Sequence, residues 1–189
     1  MEATSFVTKP DGGDGLRPAP AFVCGRAHDG AAGTLDETAR RLSHEELSVA
    51  QTFTGAGHDV ESVAESRRGG RRPDLLVCGE PVEVKSFCAA AERQRAPSPQ
   101  GVFNKLVDGA GQAPHVVLVG RGSGLSVETV RRGLSLYESA RLDPPPGRTI
   151  PALSSVRAMG DGYDMAWARS AGRELPPAPR PEPGHGLGL

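Results

Sequence analysis

The run HVVLVG, residues 115–120, restricts the fold more than any other segment, because it has no polar face. A strand of that composition suits burial on both faces of a sheet. Around it, helical and extended patterns alternate. Ser43 and Glu46 have the spacing of a capping box, and Leu47, Ala50 and Phe53 recur at helical spacing before Gly55 and Gly57, so a helix is expected from about 44 to 55. Thr34 and Glu37 share the capping spacing, and TLDETARRL is expected to open a short helix of its own. HDVESVAE reads as a strand, and DLLVC and VEVKSF read as the arms of a hairpin. QGVFNKLVDGAGQA reads as a helix with Val102, Leu106 and Val107 on one face, and SVETVRRGLSLYESARL as another, ended by DPPPG. VRAMGDGYDMAW supplies a last short strand and turn. The order helix, three strands, helix, strand, helix describes an α/β sandwich with a mixed central sheet flanked by helices.

A chain of 189 residues fits one ordinary domain plus tails. With 25 Gly and 17 Pro, concentrated toward the ends, the reading is a flexible arm over 1–33, a folded domain over 34–168 and a disordered tail over 169–189. AFVC within the arm is a candidate docking strand. Lys+Arg number 22 against 23 Asp+Glu, so bulk charge gives no argument for nucleic-acid binding and any such signal must be local. Cys24, Cys78 and Cys88 are odd in number and form no CxxC pair, which suggests neither a disulfide framework nor a thiolate zinc site; reduced thiols are expected. Cys24 and His28 have a metal-compatible spacing but are only two ligands in a glycine-rich arm. GRGSGLS lacks the lysine and full spacing of a phosphate loop and reads as a connection. No apolar run reaches signal-peptide length or the roughly 20 residues of a membrane span, so a soluble chain, cytoplasmic as encoded and without membrane contact, is expected.

The hairpin RRPDLLVCGEPVEVK carries the chemistry. Side chains alternate along a strand, so Glu83 and Lys85 share a face while Val82 and Val84 supply the core. A two-residue loop at Gly79 and Glu80 sets Cys78 opposite Pro81 and Asp74 opposite Lys85, with Glu83 diagonally adjacent. Two carboxylates brought together resist ionisation unless a cation lies between them. A divalent ion meets that need, and oxygen ligands suit Mg²⁺ or Mn²⁺, completed by backbone carbonyl, water and substrate phosphate. Lys85 beside the ion is placed to hold or help deprotonate an attacking water, which is metal-assisted phosphodiester hydrolysis. The plainer alternative is a solvated hairpin face with an ordinary Glu–Lys surface pair. Arg67, Arg68, Arg71 and Arg72 form a basic cluster just before Asp74, suited either to phosphate contacts or to keeping a loop solvated.

PD, an eight-residue spacer and EVK resemble the PD-(D/E)xK nuclease superfamily. The resemblance implies Asp74 and Glu83 as metal ligands, the Val84 carbonyl as a further ligand and Lys85 as the catalytic lysine. It also implies an acid on the preceding helix, here Glu46, which is equally a capping-box residue, with Glu45 as the fallback. EELSVAQTFTGAGHDV, RRPDLLVCGEPVEVKSF and VFNKLVDGAGQAPHVVLV are similar, in order and spacing, to the C-terminal tRNA nuclease toxin domains of CdiA contact-dependent growth inhibition proteins. That likeness, over roughly residues 43 to 140, implies Gln112 near the site, where spacing alone makes it a plain polar helix residue. It also implies tRNA as substrate and an immunity protein as partner. A DNA endonuclease with the same site is the nearest alternative, and a non-catalytic nucleic-acid-binding or regulatory module of the same fold is the other.

Overall fold

The computed structural model describes residues 15–19, 31–65, 71–87 and 96–169. In chain order the elements are β1 (Leu16–Ala19), β2 (Leu35–Asp36), α1 (His44–Gly55), β3 (Val60–Ser62), β4 (Leu75–Val77), β5 (Glu80–Ser86), α2 (Pro99–Ala110), β6 (His115–Val119), α3 (Val127–Leu142), β7 (Ser155–Gly160) and β8 (Tyr163–Arg169). The strands form one mixed sheet ordered β1-β8-β7-β6-β5-β4-β3-β2. Its centre, β5 to β6 to β7, is parallel. The flanking pairs are antiparallel, except for the short parallel pairing of β2 on β3.

The apolar run of β6 sets the layers. Val116 and Leu118 pack with Val102 and Leu106 of α2 and with Val130 and Tyr137 of α3. Val117 and Val119 pack with Val49, Ala50 and Phe53 of α1. Successive side chains point to opposite faces, so α1 covers one face of the sheet and α2 with α3 covers the other. The α/β sandwich with a mixed central sheet is therefore the observed architecture. No helix among the described residues is long and apolar enough to cross a membrane.

Helix α1 starts as its sequence requires. The Ser43 side chain accepts from the Glu46 amide, and the Glu46 carboxylate accepts from the Ser43 amide. The second capping pattern does not form a helix. Thr34 gives its amide and hydroxyl protons to the Asp59 carboxylate, at 2.9 and 2.7 Å, and its carbonyl accepts from Val60. Glu37 instead accepts from the Leu42 amide. The segment enters the sheet as β2 because its polar partners lie across space rather than one turn along. β1 falls within the expected arm and pairs with β8, while AFVC lies outside the described residues. The expected last strand is a two-stranded hairpin, β7 and β8.

Helices α2 and α3 cross closely at Gly133. A Cβ there would lie 2.4 Å from Val102 Cγ1 and 3.1 Å from the Pro99 carbonyl oxygen. Gly133→Ala is expected to destabilise the fold by about 1–3 kcal/mol, even though alanine favours an isolated helix by up to ~1 kcal/mol. Urea melts of the two proteins measure this, and an unchanged midpoint would show that the crossing tolerates a methyl group.

Candidate active site

The β4–β5 hairpin turns on Cys78 and Gly79, whose φ angles are 50° and 84°. Positive φ at both loop positions gives the type I′ turn, whose twist matches that of the strands it joins. Val77 pairs with Glu80, Leu76 with Pro81 and Leu75 with Val82. The expected loop at Gly79 and Glu80 is thus displaced by one residue, because Cys78 itself takes the left-handed conformation. Parity survives the shift, so Asp74 stays on the face of Glu83 and Lys85. It comes opposite Glu83, however, and not opposite Lys85. Val82 and Val84 turn to the α1 side as expected. Cys78 is disulfide-bonded, which corrects the expectation of three reduced thiols: an odd count rules out a fully paired set but leaves room for one bond. Cys24, His28 and Cys88 lie outside the described residues.

Glu83 is the most enclosed member of the site, at 3% exposure. Its Oε1 accepts from the Gln112 amide at 2.9 Å and lies 2.6 Å from Lys85 Nζ. Its Oε2 is buried with no hydrogen-bond partner among the described residues. Burial pushes the carboxyl up to about 7; the Lys85 ammonium opposes the rise and the neighbouring Asp74 charge adds to it. Asp74 is raised for the same leading reason, burial, against the pull of a hydrogen bond from the Val84 amide to its Oδ2 at 2.9 Å. In an extended strand the N–H and C=O of one residue face the same neighbour. The Val84 carbonyl therefore faces the Asp74 side.

Lys85 lies between two carboxylates, 2.6 Å from Glu83 Oε1 and 2.8 Å from Asp108 Oδ2. Burial works against its charge, but Asp108 and Glu83 outweigh it and hold the ammonium above its ordinary value. Asp108 is correspondingly lowered by its hydrogen bond from Lys85. Glu46 is fully engaged elsewhere: Arg40 donates to both its oxygens at 2.8 Å and the Ser43 amide donates at 2.7 Å. Burial opposes its charge, yet Arg40 and the Ser43 amide bring the carboxyl down to about 2. Glu45 is exposed on the first turn of α1.

Arg40, Glu46, Asp74, Arg71, Arg72 and Gln112 line a cavity of about 340 Å³. Gln112 lies two residues beyond α2, in a turn closed by its amide on Gly109, so the helix ends earlier than its sequence suggests. Its side chain links the cavity wall to Glu83. Arg71 reaches Asp108 at 3.4 Å in an exposed pair, a contact worth little by itself. Arg67 and Arg68 lie outside the described residues. The sequence reading passed over two residues of the cluster. Asp108 sits four positions before Gln112, a spacing that in a continued helix would have put both on one side, although the helix ends at Ala110. Arg40 carries no local signal, because its partners Glu46, Val63 and Asp74 meet only in the fold.

Among the described residues no three His, Cys, Asp or Glu side chains are grouped to hold a metal by themselves. The fit is to an ion that needs few protein oxygens: Mg²⁺ is commonly held by one or two carboxylates, with water and substrate phosphate completing its shell. The unpartnered Glu83 Oε2 is the donor such an ion would take, with Asp74, whose charge acts on Glu83, as the second carboxylate.

No family model matches the chain, and no curated protein matches it. Among solved structures it is similar to a CdiA-CT/CdiI toxin and immunity complex from Burkholderia pseudomallei, 20% identical, over 71% of this chain and 98% of that one, with a TM-score of 0.43. A likeness of that size carries no argument about chemistry.

Proposed function

We propose that the protein is a divalent-metal-dependent endonuclease of the PD-(D/E)xK type that hydrolyses RNA, with tRNA as its substrate, and that it acts as a toxin held in check by an immunity protein. The observation that carries the chemistry is the buried, unpartnered Glu83 Oε2 beside a second raised carboxyl, Asp74. Lys85, Gln112, Arg40 and the Val84 amide meet three of the four carboxylate oxygens, and burying the fourth is costly unless a cation joins it. Support for tRNA, for toxin action and for the immunity partner comes from the sequence resemblance of the flanking segments alone.

In this reading Asp74, Glu83 and the Val84 carbonyl hold Mg²⁺, or Mn²⁺ in its place. When bound, such an ion polarises the scissile phosphate and lowers the pKa of water. Gln112 fixes Glu83 through Oε1 and leaves Oε2 available. Lys85 stays an ammonium between Glu83 and Asp108. It therefore works by donating hydrogen bonds and offsetting phosphate charge, and not by taking the proton. Arg71 and Arg72, on the cavity wall, pair with flanking phosphates. Asp108 positions Lys85, so Asp108→Asn is expected to slow cleavage about tenfold with little change in KM, a loss typical of groups that orient a site residue. Steady-state kinetics check it; a change confined to KM would assign Asp108 to substrate binding instead.

The deciding experiment incubates purified protein with total tRNA, rRNA and plasmid DNA, with Mg²⁺ and with chelator. Discrete Mg²⁺-dependent tRNA fragments support the proposal, and their ends locate the cut. DNA cleavage would keep the site and change the substrate. Folded protein that cuts none of them would defeat the nuclease reading in favour of a binding module.

A further inference from the structure

We propose that the Arg40 guanidinium occupies the place of a second cation between Glu46 and Asp74, making this a centre for a single divalent ion. The inference rests on the reading of Asp74 and Glu83 as ligands and adds to it the number of ions and the group that limits it. Arg40 binds both oxygens of Glu46 at 2.8 Å in the fork geometry that only a guanidinium supplies. The same terminal nitrogen lies 3.4 Å from Asp74 Oδ1 and 3.3 Å from the Asp74 carbonyl oxygen. Its Nε donates to the Val63 carbonyl at 2.9 Å. The side chain is thus pinned to the end of β3 between two carboxylates, and only 17% of it is exposed.

The two ends of this row of acids differ. At the Glu46 end the protein's own cation meets every carboxylate oxygen. At the other end Glu83, itself nine-tenths buried, has an Oε2 that no cation or donor among the described residues meets. Glu46, Asp74, Glu83 and Asp108 set against Arg40, Lys85 and Arg71 leave a single formal negative charge, which one divalent ion already exceeds. A second ion would have to displace Arg40 from a half-buried pair, and breaking such a pair strands a charge. Glu46 on this account anchors Arg40 and does not touch the ion.

Mn²⁺ titrated into the full chain, followed by calorimetry and electron paramagnetic resonance, reads the number of ions without any turnover. The wild type is expected to bind one Mn²⁺ with an uncoupled signal. Arg40→Gln, which removes the charge and keeps a polar side chain, is expected to double the stoichiometry and produce a spin-coupled pair, while Arg40→Lys keeps one. Two coupled ions in the wild type or in Arg40→Lys would overturn the proposal, whether or not the glutamine variant folds. So would a single ion in folded Arg40→Gln. No binding by the wild type at millimolar Mn²⁺ would instead defeat the metal-dependent reading beneath it.

Discussion

Asp74→Ala and Lys85→Ala are each expected to lower Mg²⁺-dependent RNA cleavage by about 10²–10³-fold, the loss that follows removal of a group stabilising charge in a transition state. The two should fail differently. Asp74→Ala removes one of the two carboxylates proposed to hold the ion and leaves the Val84 amide without its acceptor, so binding of Mn²⁺ should fall together with turnover. Lys85→Ala leaves Asp74 and Glu83 in place, so the metal should still bind while turnover is lost. Circular dichroism establishes that both variants fold. Cleavage within threefold of wild type by folded Asp74→Ala would remove this site from the reaction.

Glu83→Gln is expected to make the metal-free protein more stable at pH 8, by on the order of 1–3 kcal/mol. The Glu83 carboxyl lies near 7 in the folded chain against an ordinary value of 4.5. Between those values the folded state holds a proton that the unfolded state has released, so stability falls as pH rises through the window. Asp74, also raised, acts in the same direction. Glu46 has the opposite sign: its carboxyl is lowered to about 2, so its stabilisation is complete above its ordinary 4.5 and is lost as pH falls through 2. Glutamine cannot ionise, so the variant should lose most of the decline between pH 5 and 8. It should also lose the rise in melting temperature that Mg²⁺ gives the wild type. Metal-free wild-type protein whose urea stability is flat from pH 5 to 8 would contradict this account.

The legible parts of the fold were those whose partners lie close in sequence. Ser43 and Glu46 cap the same helix end, so their spacing identifies α1. The valines of β5 and β6 mark their buried faces by alternation and by unbroken apolar character. The turn was misplaced because Cys78 takes a conformation usually left to glycine or asparagine, and propensity points to Gly79 first. The helix expected at 34 fails because the Thr34 hydroxyl finds Asp59, 25 residues away. Within the site, Asp74, Glu83 and Lys85 belong to one hairpin and could be placed together from the sequence. Arg40 reaches Asp74 across 34 residues, and no local pattern encodes that contact.

Among the described residues strand β1 has one neighbour in the sheet, and that neighbour is β8, the last of the described strands. Of the described strands β1 is made first and its partner β8 last, so β1 leaves the ribosome long before β8 is there to pair with it. Residues 40 to 112, which include every member of the candidate site, are complete well before then. The chemistry is thus encoded in a section where Arg40 reaches Asp74 over 34 residues, while the pairing of β1 with β8 closes over about 150 and is the more entropically expensive. Pulled apart at Leu16 and Arg169, the described strands would be expected to give up β1 first and the Asp74–Glu83–Lys85 cluster late.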